Sequence, residues 1–260
     1  MIEFFEEPID VSGFRHLQNF VWMPVVDSTN AIGRGWIDYA DAEEVAVQPI
    51  AICALEQTAG RGRRERVWRS PRGGLYVTFV WKVPPSTAIA HVPLAAAVWG
   101  AEACSRAFGL ALRLKWPNDL LCGGKKLGGV LSEAKTRGEI THAAVGFGIN
   151  VFESAAIAGE NGATAAEFES SRRPSLSRIF LELCRQFDEY LADPDTAGVV
   201  EEWRRRTVHH AGDSIRVRLD SDNAELAVDG TFEGITEEGF LRLGTESGER
   251  VITTGEVRSW

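Results

Sequence analysis

Cysteine and histidine are scarce in this chain of 260 residues, which has four of the first, at positions 53, 104, 122 and 184, and five of the second. No Cys-x-x-Cys pair occurs and the histidines show no metal-ligand spacing, so neither a zinc site nor a dithiol redox motif is indicated and reduced, buried thiols are expected. Long hydrophobic runs are also missing. The longest, Val92 to Ala101, is interrupted by a Pro and a Gly and falls far short of the roughly 20 apolar residues of a membrane helix. The first residues, Met1-Ile-Glu-Phe-Phe-Glu-Glu7, are acidic where a secretory signal would be positive, so a cytoplasmic location is expected. Positive charge is in deficit as well: 28 Lys and Arg against 37 Asp and Glu leave a net charge of -9. General affinity for nucleic-acid backbones or anionic lipid rests on summed cationic charge. Neither nucleic acid nor membrane is therefore an expected partner, and any anion binding has to be local.

What is present is a globular composition, 44% hydrophobic and 25% charged. The length suits one large domain with a small appendage. Val45 to Leu55 and Leu75-Tyr-Val-Thr-Phe-Val-Trp81 predict strands from their β-branched and aromatic content. Leu94 to Phe108 predicts a helix closed by Gly109. Gly123-Gly124 predicts a tight hairpin between Leu120–Cys122 and Lys125–Leu131, and Ile140 to Phe152 predicts a further strand. Apolar residues recur every three or four positions from Leu176 to Leu191, which predicts an amphipathic helix with Pro174 near its start. A polar helix through Glu201–Arg206 follows, and then short alternating strands at Ile215–Leu219, Leu226–Val228 and Phe240–Leu243 that predict a small barrel. Glu153 to Arg173 has few large apolar residues and reads as a surface excursion.

The chemistry concentrates in a few segments. Glu56-Gln-Thr-Ala-Gly-Arg-Gly-Arg-Arg-Glu-Arg-Val-Trp68, continuing to Arg69 and Arg72, packs arginines around Gly60 and Gly62 in an otherwise acidic chain. Guanidinium groups hold phosphate or carboxylate by paired, charge-assisted hydrogen bonds. On composition the segment is either a mobile anion-binding loop or a solvated basic surface. Lys115-Trp-Pro-Asn-Asp-Leu120 displays a polar turn, with Pro117 holding Trp116 extended. Lys125-Lys126-Leu-Gly-Gly129 sets amines beside glycines, as an anion site or simply as a soluble hairpin. Gly146-Phe-Gly-Ile-Asn150 alternates small residues within a strand, for close approach of a ligand or for tight sheet packing. Asp27-Ser-Thr-Asn30 on its own reads as a helix cap. The end of the second C-terminal helix accounts for His209-His210 through its dipole.

Ser28-Thr-Asn30, Gln57-Thr-Ala-Gly-Arg-Gly-Arg-Arg64, Lys115-Trp-Pro-Asn-Asp-Leu120, Lys126-Leu-Gly-Gly-Val-Leu131 and Gly146-Phe-Gly-Ile-Asn150, in this order, resemble the biotin protein ligases, the biotin–[acetyl-CoA-carboxylase] ligases. The resemblance spans nearly the whole chain. It implies an α+β protein: a mixed β-sheet catalytic domain backed by helices over residues 1–208, and a C-terminal SH3-like β-barrel over 209–260. It implies activation of biotin with ATP and Mg2+ as biotinyl-5′-AMP with release of pyrophosphate, then transfer to one lysine of a biotin carboxyl carrier domain. Carried over position by position, Ser28, Thr29, Asn30, Gln57, Gly60, Arg61, Gly62, Arg63, Lys126 and Gly128 would bind biotin. Arg63, Arg66, Trp68, Lys115, Asn118 and Asn150 would place the nucleotide. Lys126, Arg63 and Asp119 would act in catalysis, Asp119 by meeting the incoming lysine. Glu65 departs from the family pattern, which has glycine there, and this puts loop closure and ligand affinity in question. Some relatives add a helix-turn-helix repressor domain; Ser28 stands too early in this chain for one, and the residues before it carry too much negative charge. A lipoate ligase or octanoyl transferase is the enzymatic rival, through Arg72-Gly73-Gly74, and a biotin or nucleotide sensor the non-enzymatic one.

Overall fold

The periodicity of two in the central strands decides which residues meet which helix. The computed structural model describes residues 3–85, 87, 89–157, 162–194, 197–219 and 226–259, with the backbone alone described at Glu65, Ile157, Ala197 and Ser259. Chain order in the larger unit is β1 (Asn19–Met23), α1 (Thr29–Ala42), β2 (Ile50–Ala54), β3 (Gly74–Val83), α2 (Val92–Phe108), β4 (Arg113–Lys115), β5 (Asp119–Cys122), β6 (Lys125–Arg137) and β7 (Ile140–Asn150). The short helices α3 (Glu153–Ile157) and α4 (Ala166–Glu169) come next, followed by α5 (Leu176–Ala192) and α6 (Ala197–Arg206). The strands form one seven-stranded sheet in the order β1-β2-β3-β7-β6-β5-β4. Its β1–β2 pair is parallel and the other pairs are antiparallel, so the sheet is mixed.

Alternate residues of β3 point to opposite layers. Trp81 meets Trp99 of α2 and Phe187 and Tyr190 of α5, and Phe79 meets Phe187, their centroids 4.6 Å apart. Val80 turns the other way and packs with Ile52, Ala144 and the α1 residues Ile37 and Ala40. Each such large side chain contributes roughly 1.5–3 kcal/mol by leaving water. Gly109 closes α2 at φ 72°, as the sequence predicts, and Gly123 (55°) and Gly124 (79°) make the β5–β6 turn. Ser175 caps α5 by accepting from the Arg178 amide at 3.2 Å.

The C-terminal unit is an antiparallel sheet of five strands, β8 (Ser214–Arg218), β9 (Ala227–Ile235), β10 (Leu241–Thr245), β11 (Gly248–Ile252) and β12 (Glu256–Ser259), ordered β11-β10-β9-β8-β12. It is pinned to the larger unit. The Trp116 indole donates to the Gly239 carbonyl (3.2 Å), and Arg204 of α6 donates to the Ile235 carbonyl (3.0 Å) and the Glu237 carboxylate (2.7 Å).

Several sequence expectations shift. The strand expected from Val45 begins at Ile50, after Pro49, which has no N–H to give a ladder. The Glu153–Arg173 stretch holds two short helices, and Ala155, Thr164, Ala165 and Ala166 are buried, so it is not simply a surface excursion. Helix α6 ends at Arg206. His209 lies beyond it, buried against Phe232, and burial lowers its pKa; helix-dipole stabilisation of a charged ring is therefore not its role. All four cysteines are free and buried, and burial pushes the thiols of Cys53, Cys104 and Cys184 up. Among the described residues no helix is long and apolar enough to cross a membrane.

Candidate active site

A cavity of about 450 Å³ opens between the start of α1, the arginine-rich segment and the strands β5 to β7. Ser28, Thr29, Asn30, Gln57, Arg61, Gly62, Arg63, Arg66, Trp68, Asn118, Asp119, Lys126 and Asn150 all line it. Five distant stretches of sequence thus converge on one space. Arg61, Arg63, Arg66, Arg69 and Lys126 face a single carboxylate, Asp119, across the lining. This excess of positive charge in a chain of net charge -9 suits an anionic ligand.

One wall is a hydrogen-bonded polar layer. Ser28 is both cap and lining residue: its hydroxyl accepts from the Ala31 amide (3.4 Å). The Gln57 carbonyl accepts from the Thr29 amide (2.8 Å) and hydroxyl (3.1 Å), and its amino group donates to Ser70 Oγ (2.8 Å). Asn118 and Asn150 use their amino groups to hold the Val130 and Thr164 carbonyls, at 2.7 and 3.0 Å. The alternating glycines of β7 make room for side chains. A Cβ on Gly146 would stand 1.8 Å from Asn30 Oδ1, and one on Gly148 would stand 2.5 Å from Trp68 Nε1. Trp68 Nε1 is buried without a partner, a donor placed within the cavity wall. Lys126 pairs with Asp119 at 2.7 Å and stands 5.3 Å from the centre of the Trp68 ring.

The arginine-rich segment is hydrogen-bonded to itself and to the C-terminal sheet. Gly62 N donates to the Arg66 carbonyl (2.7 Å) around a short 3-10 turn at Arg63–Glu65. The C-terminal sheet supplies its acceptors: Arg63 donates to the Gly255 carbonyl (3.1 Å) and Thr254 Oγ1 (3.3 Å), Arg64 to the Leu219 (2.7 Å) and Arg218 (3.4 Å) carbonyls, and Arg66 to Glu256 (3.1 Å). Burial, then the charges of Arg64 and Arg66, depress the Arg63 pKa. Burial alone would raise that of Glu256, but Arg66 and Arg258 hold it below the ordinary value. The left-handed backbone of the segment falls at Arg64 (φ 56°), one residue before Glu65, whose side chain lies outside the described residues.

Gly60, Gly128 and Lys115 do not line the cavity. Gly60 lets the ends of the arginine segment close, since a Cβ there would meet the Trp68 carbonyl at 2.4 Å; Gly128 lets β6 approach the Gly148 carbonyl, 2.6 Å from such a Cβ. Lys115 pairs in register with Asp119 on the neighbouring strand, and burial lowers its pKa. Residues the sequence reading passed over include Leu131 and Phe147 on the sheet, and Ala155 and Ala163 after β7. Ala163 reaches the site by bridging to Lys126, whose amide donates to the Gly162 carbonyl (3.1 Å). No local pattern announces such a long-range pairing.

Fold and cavity together define a mixed-sheet protein with a cationic, polar-walled binding site and a small C-terminal sheet. The model of the biotin/lipoate A/B protein ligase family matches residues 22–150, and that of the biotin protein ligase C-terminal domain matches 210–258. The biotin–[acetyl-CoA-carboxylase] ligase of Paracoccus denitrificans is 35% identical over 218 residues, covering 79% of this chain and 88% of that protein. The bifunctional ligase/repressor BirA of Bacillus subtilis is 28% identical over 255 residues, covering 92% of this chain and 74% of its own length. Among solved structures, the biotin protein ligase from Aquifex aeolicus in complex with biotin and ATP superposes with a TM-score of 0.68 at 25% identity, over 93% of this chain and 98% of that one. This chain belongs to the biotin/lipoate A/B protein ligase family.

Proposed function

We propose that this chain is an ATP-dependent biotin protein ligase, which joins biotin to AMP and passes it to a lysine of a biotin carboxyl carrier domain. The observation that carries the reading is the set of five cationic side chains around one carboxylate in the cavity. Two anions, a carboxylate and a triphosphate, must approach each other, and pre-placed positive charge lowers the cost of that approach without covalent catalysis. The polar wall of Ser28, Thr29, Asn30 and Gln57 takes the biotin head. Arg61, Gly62 and Arg63 border its tail, and Arg66, Trp68, Asn118 and Asn150 place the nucleotide. Gly60, Gly128 and Lys115 support the site from behind its walls.

In the first step a biotin carboxylate oxygen attacks the α-phosphorus, the bond to the bridging oxygen breaks, and pyrophosphate leaves. Lys126 neutralises the carboxylate, which requires it to exchange Asp119 for substrate. Asp119, once released, meets the ammonium of the acceptor lysine and takes its proton. The free amine attacks the acyl carbon, the acyl–phosphate C–O bond breaks as the amide bond forms, AMP leaves with that electron pair, and the second nitrogen proton passes to solvent. Mg2+ would enter with the nucleotide and offset the charge of its phosphates. Substrate phosphates would supply most of its ligands, with Asp119 the carboxylate in reach among the lining residues.

The rival acyl transfer through a cysteine finds no support, since Cys184 is fully buried on α5. A division at residues 208/209 into catalytic and C-terminal domains is part of the proposal. Mass spectrometry after incubation with biotin, MgATP and a carrier domain tests the function. A single biotinyl adduct on one carrier lysine is the expected result, and octanoyl or lipoyl transfer without biotinylation would refute it.

A further inference from the structure

Behind the polar wall lies a buried side chain that touches the cavity only through others. Thr78, in the middle of β3, is fully buried. Its hydroxyl lies 2.8 Å from Thr29 Oγ1 and 2.8 Å from Asn30 Oδ1. The two side-chain amides at the ends of this chain are fixed in orientation. Asn30 turns its amino group to two acceptors, the Leu131 carbonyl (3.3 Å) and the Glu133 carboxylate (3.0 Å), so its carbonyl faces Thr78. Glu133 is in turn paired with Arg34 at 3.5 Å. Gln57 must turn its carbonyl to the Thr29 amide, which can only donate. Its carbonyl therefore also faces the Thr29 hydroxyl (3.1 Å).

The contacts Asn30–Thr78, Thr78–Thr29 and Thr29–Gln57 link oxygens only, and a hydroxyl carries one proton. Two protons serve three contacts, so one contact always sets lone pairs against lone pairs, a cost in a buried place. A ligand N–H donated to the Gln57 carbonyl replaces the Thr29 hydroxyl as its donor. Thr29 can then turn its proton to Thr78 and Thr78 donates to Asn30, so the unfilled contact rests at the longest of the three, Thr29–Gln57 (3.1 Å), while the Gln57 carbonyl still accepts from the Thr29 amide and from the ligand. Thr29, Asn30 and Gln57 line the cavity, whereas Thr78 and Glu133 do not.

We infer that Thr78 is a specificity-determining positioning residue: it leaves the hydroxyl chain one proton short, so that the wall in front of it rewards a substrate head that donates N–H, as a cyclic urea does. The inference rests on the biotin-ligase reading and adds to it a residue outside the cavity that tunes the affinity for the urea head alone. Val has nearly the shape of Thr without its hydroxyl, and Ser keeps the hydroxyl without the methyl. Thr78→Val is expected to raise the KM for biotin about 10-fold, the scale of one hydrogen bond. Desthiobiotin, which keeps the urea and lacks the sulfur, should lose as much. The KM for ATP and kcat at saturating biotin should stay unchanged, and Thr78→Ser should return both acids to within roughly 2-fold of wild type. Should Thr78→Val not fold, Thr78→Ala reads the same loss against the same Ser control. An unchanged biotin KM overturns the inference, as does an equal rise in the KM for ATP or a Ser variant as weak as Val, which would assign Thr78 to packing. Wild-type protein that ignores biotin would refute the ligase reading itself, before any variant is compared.

Discussion

In the proposed reaction Lys126 is where the two half-reactions meet, because the ammonium assigned to the substrate carboxylate is held at 2.7 Å by Asp119. Replacing it with Ala removes charge stabilisation that matters most as the carboxylate reaches phosphorus. Lys126→Ala is expected to slow adenylate formation about 100- to 1,000-fold while changing ATP binding little, and an undiminished pyrophosphate burst would remove Lys126 from the chemistry. Gly146 serves the same site by absence. A methyl there would collide with Asn30 Oδ1, so Gly146→Ala should cost roughly 1–3 kcal/mol in denaturant unfolding and weaken biotin binding as well. Stability loss with intact biotin affinity would show that Asn30 can move without consequence. The buried histidines carry a pH dependence. Burial lowers the pKa of His142 and of His209, so each takes up a proton less readily in the fold than in the unfolded chain, where it titrates near the ordinary value of about 6.5. Their contribution is present above that value and lost as pH falls below it toward the depressed folded value. Thermal midpoints should therefore fall between pH 7.5 and 5.5, less steeply in His209→Asn; equal slopes would exclude His209 as a source.

At the scale of elements, short-range chemistry was the legible part. Gly109 at the end of α2, the Gly123-Gly124 turn and the three-to-four spacing in α5 each sit where a local rule places them. Gly109→Ala should cost about 1–2 kcal/mol, since it forces a side chain into the left-handed region, and it should leave the KM for biotin alone; equal stability would mean that α2 can end elsewhere. What the sequence did not disclose depends on partners far along the chain. Strand β1 exists through its parallel pairing with β2, and β11 and β12 through the five-stranded sheet. The site followed the same division. Motif residues from five stretches line one cavity, but Gly60, Gly128 and Lys115 do not; for the two glycines, one needed for backbone approach and one needed for a ligand look the same in one dimension. Thr78 gave no signal beyond strand composition, since its role needs Thr29 and Asn30 from α1 laid across it.

For the molecule as a whole, the two sheets are coupled through the arginine-rich segment, which the sequence presents as a loop awaiting an anion and the structure presents as already bound by the C-terminal sheet. Arg63 and Arg66 line the cavity while their guanidinium groups hold Gly255, Thr254 and Glu256. Binding a phosphate therefore means exchanging or sharing those partners. Arg64 differs, for it does not line the cavity and spends its donors on the Arg218 and Leu219 carbonyls and, at 3.5 Å, on Thr254 Oγ1. Its left-handed backbone, φ 56°, costs a non-glycine residue roughly 1–2 kcal/mol, which those bonds offset. Arg64→Ala cuts the tie and keeps the backbone cost; Arg64→Gly cuts the tie and relieves it. If the tie holds the segment in place, amide exchange over residues 61–68 should speed up about 10-fold in both variants, and both should release biotinyl-AMP faster, seen as labelling of an added bystander protein. If only the Ala variant loosens, backbone strain and not the link to the C-terminal sheet governs the segment. Unchanged exchange in both would mean that Arg63 and Arg66 suffice to hold it, and that the C-terminal sheet acts on the site through Glu256, Thr254 and Gly255 alone.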